Sequence, residues 1–187
     1  MFDLNCAVIV NGFPCKSPLT VTANDFRLTG LDKPGNTNNQ LGFMVTPAFV
    51  MQLPGLNTLG ISMVRLDYAA RGGLNPPHTH PRATEILVVI EGTLLVGFIT
   101  TNNTLFSTTL EKGDVFVFPR GLVHFQQNIG PVNAVAFSGL NSQNPGTQQV
   151  APALFGASPP VSASVLARAF QIDDRLVQII QSRFTSS

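Results

Sequence analysis

Short apolar runs interrupted by glycine, proline and asparagine fill the middle of the chain, from residue 61 to residue 140. Runs of about four to eight residues rich in Val, Ile, Leu, Phe and Thr are typical of β-strands, and the intervening residues are typical of turns. The pattern predicts a hairpin around Glu91-Gly92 and further strands after it. The predicted strands cover residues 86–90, 93–100, 115–118 and 134–138. Because no helical periodicity separates them, they predict an antiparallel sandwich or barrel.

The two flanks of this β-rich segment differ from it and from each other. The N-terminal flank is rich in Asn, Pro and Gly, especially over residues 32–40, and predicts an extended arm with a long loop. The C-terminal flank has helical spacing over residues 162–169 and 173–184. The apolar stripe of the second helix consists of Leu176, Val177, Ile179, Ile180 and Phe184. We expect one domain, divided into an arm (1–50), a barrel core (51–142) and a C-terminal helical segment (143–187).

Charge is scarce in this sequence. Only 11% of its residues are charged, against roughly 25% in typical soluble domains, and 44% are hydrophobic. A surface this poor in charge suggests that a partner subunit covers part of it. The net charge is +1 and there is no basic run, so the sequence argues against nucleic-acid binding. It also has no apolar stretch of the roughly 18 residues that a membrane span needs.

All three histidines fall within two short patterns. The patterns are Gly72-x5-His78-x-His80-x4-Glu85-x6-Gly92 and Gly113-x5-Pro119-x-Gly121-x2-His124-x3-Asn128. Because side chains alternate along an extended strand, His78 and His80 point to the same side. A bend at Pro81-Arg82 lets the next strand return Glu85 to the same place, and His124 arrives from a strand distant in sequence. We therefore expect His78, His80, Glu85 and His124 to bind one metal ion.

This ligand set restricts the chemistry. Three neutral imidazoles and one carboxylate suit a divalent first-row metal and leave a net charge of about +1. Zinc prefers four-coordinate closure or three ligands plus water, whereas this set with room for two further oxygens suits octahedral manganese or iron. Open positions on the metal are the minimum for redox or Lewis-acid catalysis. Two nearby arginines, Arg82 and Arg120, either attract anions or pair with acidic residues such as Asp114 or Glu111.

The segments that carry these residues resemble the two motifs of the cupin superfamily, and most closely those of plant germins and germin-like proteins. They are PPHTHPRATE at residues 76–85 and KGDVFVFPRGLVHFQ at residues 112–126. The resemblance continues through residues 11–16 and 166–171 and so covers nearly the whole chain. It implies an all-β, single-domain cupin jelly-roll barrel with an N-terminal extended arm and C-terminal α-helices. It also implies bound Mn(II) and hexamers, built as trimers of dimers, in which the C-terminal helices clasp a neighbouring subunit.

The resemblance implies an oxidoreductase, with superoxide dismutation as the first hypothesis and the four metal ligands as its catalytic residues. Oxalate oxidation, known for the true germins, is the other activity of this class. Those enzymes place two asparagines near the metal, and Asn75 matches one of them. The other position is occupied by Val64, which cannot donate a hydrogen bond to a bound carboxylate. Oxalate oxidation is therefore the less favoured reading.

Two further hypotheses stay open. One is non-redox chemistry, in which an isomerase, lyase or cyclase acts on an apolar plant metabolite in the barrel. A pocket for such a substrate would be lined by Phe43, Met44, Phe116 and Phe118, although these side chains are equally suited to the barrel core. The other is a non-enzymatic extracellular protein that binds auxin or a similar ligand.

The resemblance also implies a secreted protein of the apoplast or cell wall, with a disulfide between Cys6 and Cys15. Two free thiols in a cytosolic protein are the alternative. The first residues show neither a basic nor an apolar region of a signal peptide, so we expect the sequence to be a mature form. Asn102-Asn103-Thr104 is an acceptor sequence for N-glycosylation at Asn102, in agreement with secretion.

Overall fold

The computed structural model describes residues 8–184, in which twelve β-strands and three α-helices are defined. The strands are β1 (Ile9–Val10), β2 (Phe13–Pro14), β3 (Phe43–Ala48), β4 (Ser62–Tyr68), β5 (Leu74–Thr79), β6 (Glu85–Glu91), β7 (Leu94–Ile99), β8 (Leu105–Leu110), β9 (Val115–Phe118), β10 (Val123–Asn128), β11 (Ala134–Leu140) and β12 (Gln148–Gln149). The helices are α1 (Val150–Phe155), α2 (Ala163–Phe170) and α3 (Asp174–Ser182).

Ten of these strands form two five-stranded antiparallel sheets. The first sheet has the order β12-β5-β10-β7-β8, and the second has the order β3-β4-β11-β6-β9. One hydrophobic core contains residues of both sheets, which therefore pack against each other through their inner faces. The core includes Val64, Leu66, Tyr68, Leu87, Val89, Leu94 and Val96. The architecture confirms the expected all-β cupin barrel with C-terminal helices.

Alternating burial explains why these segments pair as they do. Every second residue of β10 is buried, and so is every second residue of β11. The inward residues of β11 are small or apolar, whereas those of β10 are the polar His124, Gln126 and Asn128. Since a shift of one residue would exchange the two faces of a strand, this pattern sets the register. It also gives the barrel a polar interior along β10.

The predicted central strands are present with small shifts. The strand β9 coincides with its prediction, and β7 is shorter by one residue at each end. The strand β6 begins at Glu85, so a residue expected to be a ligand is also the first residue of a strand. The strand β11 continues to Leu140, two residues beyond its prediction. Its extension passes through Gly139, which pairs with both neighbouring strands although glycine has low strand propensity.

The N-terminal flank contains a strand that the sequence analysis placed in the arm. Residues 43–48 form β3, which pairs with β4 at the edge of the second sheet. Pro47 lies within this strand, and proline is tolerated in an edge strand because no neighbour on the outer side requires its missing N–H. The rest of the described arm contains the short β1–β2 hairpin and two single turns of 3-10 helix at residues 18–20 and 23–26.

The C-terminal helices pack together in a second, smaller hydrophobic cluster. Phe155 of α1, Leu166 of α2 and Val177 of α3 are buried in it. The sequence analysis missed α1, which has only six residues and contains Pro152. The predicted stripe on α3 is divided, because Val177 is buried whereas Leu176 and Ile179 are each 45% exposed.

Glycine at position 92 is required by the hairpin between β6 and β7. Gly92 has a φ of +82°, which is unfavourable for any residue with a side chain. A Cβ atom at this position would lie 2.6 Å from the Cβ atom of Ala134. The glycine that ends the first sequence pattern is therefore explained by the turn and by close packing against β11. None of the helices in residues 8–184 is long and apolar enough to cross a membrane.

Candidate metal centre

The four expected ligands come together inside the barrel. His78 lies in β5, His80 follows that strand, Glu85 begins β6 and His124 lies in β10. Their candidate ligand atoms all lie within 4.8 Å of one another, and all four side chains are buried. Three of them come from the first sheet or its end, whereas Glu85 comes from the second sheet.

The local geometry follows from strand pairing. His124 lies directly opposite His78 in the antiparallel pair of β10 and β5, and their ring centroids are 4.1 Å apart. The bend after β5 turns the chain so that Glu85 faces the same point. One carboxylate oxygen, Oε2, lies 3.0 Å from Nε2 of His80 and 3.3 Å from Nε2 of His124. The carboxylate is therefore the common neighbour of two imidazoles.

Hydrogen bonds to backbone carbonyls orient two of the imidazoles. Nδ1 of His78 lies 2.8 Å from the carbonyl oxygen of Pro76, and Nδ1 of His124 lies 2.9 Å from that of Leu122. A carbonyl oxygen can only accept, so each Nδ1 carries the proton and donates it. With Nδ1 engaged in this way, Nε2 is the nitrogen that each ring can offer to a metal ion, and in His124 it faces Oε2 of Glu85. Buried imidazole nitrogens that converge with a carboxylate suit a bound divalent cation, and the residues therefore fit a metal ion.

The electrostatic environment favours the protonation states that metal ligands need. Burial, reinforced by the nearby His124, lowers the pKa of His78 to about 4, so its imidazole is neutral at neutral pH. Burial alone would raise the pKa of Glu85. Hydrogen bonds from His124 and His80 outweigh that effect and hold the pKa of Glu85 below its usual range. Glu85 is therefore a carboxylate at neutral pH.

A small cavity of about 90 Å³ lies beside these ligands. One part of its wall is formed by His78, His80 and Glu85, and most of the remainder is apolar. The other lining residues are Phe43, Val45, Phe49, Val64, Leu66, Asn75, Leu140, Thr147 and Gln149. The sequence-selected residues Val64, Asn75 and Phe43 thus meet at the cavity.

The other aromatic and apolar candidates have different positions. Met44 lies against Gly35, away from the cavity lining. Phe118 is buried in the barrel core and Phe116 packs against that core. Of the four residues considered for a substrate pocket, only Phe43 lines this cavity in the part of the chain that the structure describes.

Sequence reasoning missed a hydrogen-bonded group next to the cavity. Nδ2 of Asn75 donates to Oε1 of Gln126 over 2.6 Å, and the same oxygen lies 3.4 Å from the hydroxyl of Tyr68. Burial, followed by the charges of Glu85 and Asp67, raises the pKa of Tyr68, which keeps its hydroxyl protonated as a donor. Strand alternation could have identified Gln126, because it lies two residues after His124 and faces the same side.

The two motif arginines bind backbone rather than the acidic residues considered for them. Nε of Arg82 donates to the carbonyl oxygen of Asn144 over 2.8 Å, and Nε of Arg120 donates to that of Pro81 over 2.9 Å. Glu111 instead accepts from Thr93. Both arginine side chains are exposed and fasten the bend between the ligands His80 and Glu85 to neighbouring segments.

The predicted glycosylation site and the predicted disulfide lie in parts of the sequence that do not contribute to the metal centre. Asn102 is exposed in the turn between β7 and β8. Cys15 is half-buried next to β2 in the arm, and it lines a separate surface cleft of about 250 Å³. Its predicted partner, Cys6, lies outside the described residues.

Comparison with known proteins agrees with this geometry. A family model described as "Cupin" matches residues 29–178. The chain is 62% identical to germin-like protein 1-3 of Oryza sativa subsp. japonica, over 94% of this chain and 78% of that protein. It is 58% identical to germin-like protein subfamily 2 member 1 of Arabidopsis thaliana, over 97% of this chain and 83% of that protein.

Solved structures with the same fold include enzymes. A recombinant oxalate oxidase in complex with glycolate is 43% identical, with a TM-score of 0.91 over 98% of this chain and 92% of that one. Peruvianin-I, a cysteine peptidase from Thevetia peruviana latex, is 40% identical, with a TM-score of 0.73 over 80% of this chain and 91% of that one. The fold, the four-residue metal site and these similarities together show that the chain belongs to the germin-like proteins of the cupin family.

Proposed function

We propose that this chain is a manganese-binding oxidoreductase that dismutates superoxide. The observation that carries the proposal is the buried site of three imidazoles and one carboxylate, which adjoins a cavity large enough only for a small molecule. His78, His80, Glu85 and His124 would hold the ion. Bound manganese supplies one-electron redox chemistry by changing between two oxidation states. The overall reaction converts two superoxide ions and two protons into dioxygen and hydrogen peroxide.

The chain's own residues favour a small anion. One carboxylate against a divalent ion leaves the site with a net positive charge, which attracts anions into a cavity with few other charges. Asn75, held by Gln126, presents an amide to the same cavity. A cavity of about 90 Å³ is smaller than the roughly 150 Å³ apolar cavity that holds benzene. Size and charge together favour superoxide over a ring-containing metabolite.

The first prediction concerns the metal. We expect wild-type protein produced with ample manganese to contain close to one manganese ion per chain. His124→Ala should lose most of this metal, because the side chains around the ligands cannot replace a missing imidazole. Elemental analysis of both proteins is the measurement. Gln127→Ala, a change on the opposite face of the same strand, is the matched control and should retain the metal. Equal manganese in wild type and His124→Ala, or zinc alone in the wild type, would contradict the assignment.

Oxalate oxidation is the neighbouring activity that must be distinguished. The proposal disfavours it although oxalate oxidases are 43% identical to this chain. Val64 lines the cavity near Asn75, at the position where the germin resemblance implies an asparagine in oxalate-oxidising members. A bound dicarboxylate would lose one hydrogen bond there, at a cost of roughly 1 to 3 kcal/mol in a buried site. That cost corresponds to about tenfold to more than a hundredfold in rate.

The second prediction follows from that missing donor. We expect manganese-loaded wild type to dismutate superoxide measurably and to oxidise oxalate poorly, whereas Val64→Asn should oxidise oxalate at least about tenfold faster than wild type. Hydrogen peroxide release from oxalate and superoxide consumption are measured on the same preparations. Val64→Leu changes the volume of the side chain without adding a hydrogen-bond donor and should not increase the rate of oxalate oxidation. Robust oxalate oxidation by the wild type would refute the substrate argument, and inertness toward superoxide would refute the proposed activity.

The apolar part of the cavity wall supports a second candidate, in which the same site serves a non-redox isomerase, lyase or cyclase, or a protein that binds an apolar ligand such as auxin. Phe43, Phe49 and Leu140 supply this surface. Manganese-loaded protein that is inert toward superoxide but binds or converts such a compound would favour it.

Peptidase chemistry has less support, because the chain has three histidines and all are metal ligands. None is left to act as the base that a cysteine nucleophile such as Cys15 needs.

We further propose that the protein is a homo-oligomer, namely the hexamer that the resemblance implies. Apolar side chains cross the outer face of the second sheet in register, with Met63, Ile86 and Val117 each about half exposed. Leu176 and Ile179 of α3 are also exposed. Contiguous exposed apolar surface of this kind is typical of subunit interfaces.

The third prediction tests the helical part of that surface. Light scattering at micromolar concentration should give a mass several times that of the 20.0 kDa chain. Ile179→Asp should lower the oligomer mass or its stability to dilution, because the change places a charge in an apolar contact. Gln178→Asp adds the same charge at an exposed polar position of the same helix and should leave the mass unchanged. A wild-type mass of 20 kDa would rule out the oligomer, and equal behaviour of the two variants would remove α3 from the interface.

Secretion to the apoplast or cell wall, a Cys6–Cys15 disulfide and a glycan at Asn102 complete the proposal. A disulfide across this small loop would stabilise the arm by about 2 to 3 kcal/mol in the chain-entropy model. The fourth prediction concerns both modifications in protein secreted by plant cells. The intact mass should include a glycan, and Asn102→Gln should remove it. Titration of thiols in the denatured, unreduced protein should find no free thiol. Two titrated thiols would refute the disulfide, and a mass unchanged by Asn102→Gln would refute the glycan.

A further inference from the structure

The ring of Phe118 lies flat against the imidazole of His124. The two ring centroids are 4.6 Å apart and the planes differ by 21°, which is a stacked arrangement. Both side chains are 1% exposed. Among the three histidine ligands of the described chain, His124 is the one for which a phenylalanine ring contact is found. The stack therefore sets His124 apart from the other two imidazoles.

Phe118 also connects the two sheets at the metal centre. Its backbone lies directly opposite the ligand Glu85 in the pair of β9 and β6, within the second sheet. Its ring contacts His124, which belongs to the first sheet. One residue thus borders two metal ligands that come from different sheets. A displacement of Phe118 would change the distance between them.

The stack adds an orientational constraint that the hydrogen bond of His124 does not supply. The bond from Nδ1 to the carbonyl oxygen of Leu122 fixes one edge of the imidazole but permits the ring to tilt about that contact. A ring packed flat on the face of the imidazole opposes this tilt. The two contacts together direct Nε2 toward Oε2 of Glu85, 3.3 Å away.

A row of phenylalanine rings supports Phe118 from behind. The ring of Phe116 is 5.2 Å from that of Phe118, the ring of Phe98 is 5.9 Å from that of Phe116, and the ring of Phe106 is 5.4 Å from that of Phe98. These rings belong to β7, β8 and β9, and β8 and β9 each form one of the two edges of their sheet. A movement of Phe118 away from His124 would therefore disturb its contact with Phe116.

We propose that Phe118 is a positioning residue of the metal centre, whose stacked ring holds the imidazole of His124 in the orientation that the metal ion requires. This role rests on metal binding at the four ligands and is independent of the reaction that the loaded protein carries out. If the protein proves inert toward superoxide, the proposed role of Phe118 is unaffected. If the role of Phe118 is refuted, the proposed superoxide activity is still decided by its own assay.

The fifth prediction compares variants with and without an aromatic ring at this position. Mn(II) is titrated into metal-free wild type, Phe118→Leu, Phe118→Met and Phe118→Tyr, and Co(II) is bound to each in a parallel series. We expect both ring-less variants to bind Mn(II) about three- to tenfold more weakly than wild type. Their Co(II) visible spectra, which report ligand geometry, should differ from that of wild type. Phe118→Tyr keeps the ring and should stay close to wild type in both measurements.

Leu94→Ala is the matched control, because it truncates a buried side chain of the same core, opposite Asn128 at the other end of β7, outside the row of phenylalanine rings. It should lower thermal stability as a core substitution does, with less than about a twofold change in Mn(II) affinity and an unchanged Co(II) spectrum. Circular dichroism of the metal-free proteins establishes that each variant is folded. Wild-type affinity and spectrum in the ring-less variants, or an equal loss in Leu94→Ala, would overturn the proposal. So would ring-less variants that are unfolded with and without metal, since Phe118 would then serve the core alone.

Discussion

The convergence of the Glu85 carboxylate with the imidazole nitrogens of His80 and His124 is the contact on which the barrel interior depends. An ionised carboxylate buried in an apolar core is costly unless cationic or hydrogen-bonding partners compensate it. Here those partners come from the opposite sheet, so satisfying the charge requires the two sheets to meet in one register. A bound cation relieves the same cost and turns an unfavourable burial into a binding site. His124 is tolerable inside the barrel for that reason, whereas Gln126 accepts a hydrogen bond from Asn75 and Asn128 donates to two backbone carbonyl oxygens.

Strand periodicity and turn chemistry account for most of what could be predicted. The alternation of His78 and His80, and the glycine needed at the turn that ends the first pattern, follow from local geometry that a sequence displays directly. Gln126 belongs with them, since the same alternation that selects His124 also selects the residue two positions later. The ligand set could be predicted from the sequence because histidine and glutamate side chains are seldom buried together unless they bind something.

What could not be predicted depends on neighbours that are distant in sequence. The strand β3 was assigned to the arm because Pro47 and the surrounding turn residues hide an edge strand, and only pairing with β4 defines it. The division of the α3 stripe is similar, since the packing of α1 and α2 decides that Val177 is buried and Ile179 is not. The contact between Phe118 and His124 is a matter of ring orientation, on which spacing carries no information.

The inward face of β10 carries three side chains with different roles at intervals of two residues. His124 is a metal ligand, Gln126 holds the cavity amide of Asn75, and Asn128 bonds the carbonyl oxygens of Ala69 and Val132 in the loops at the far end of the barrel. An insertion or deletion of one residue between them would reverse the alternation on one side of the change, so that the three side chains could no longer all face the barrel interior. The exposed turn at residues 101–104 contributes no buried side chain to the barrel. Length variation during the evolution of this chain should therefore collect at such turns, while β10 changes only by substitution.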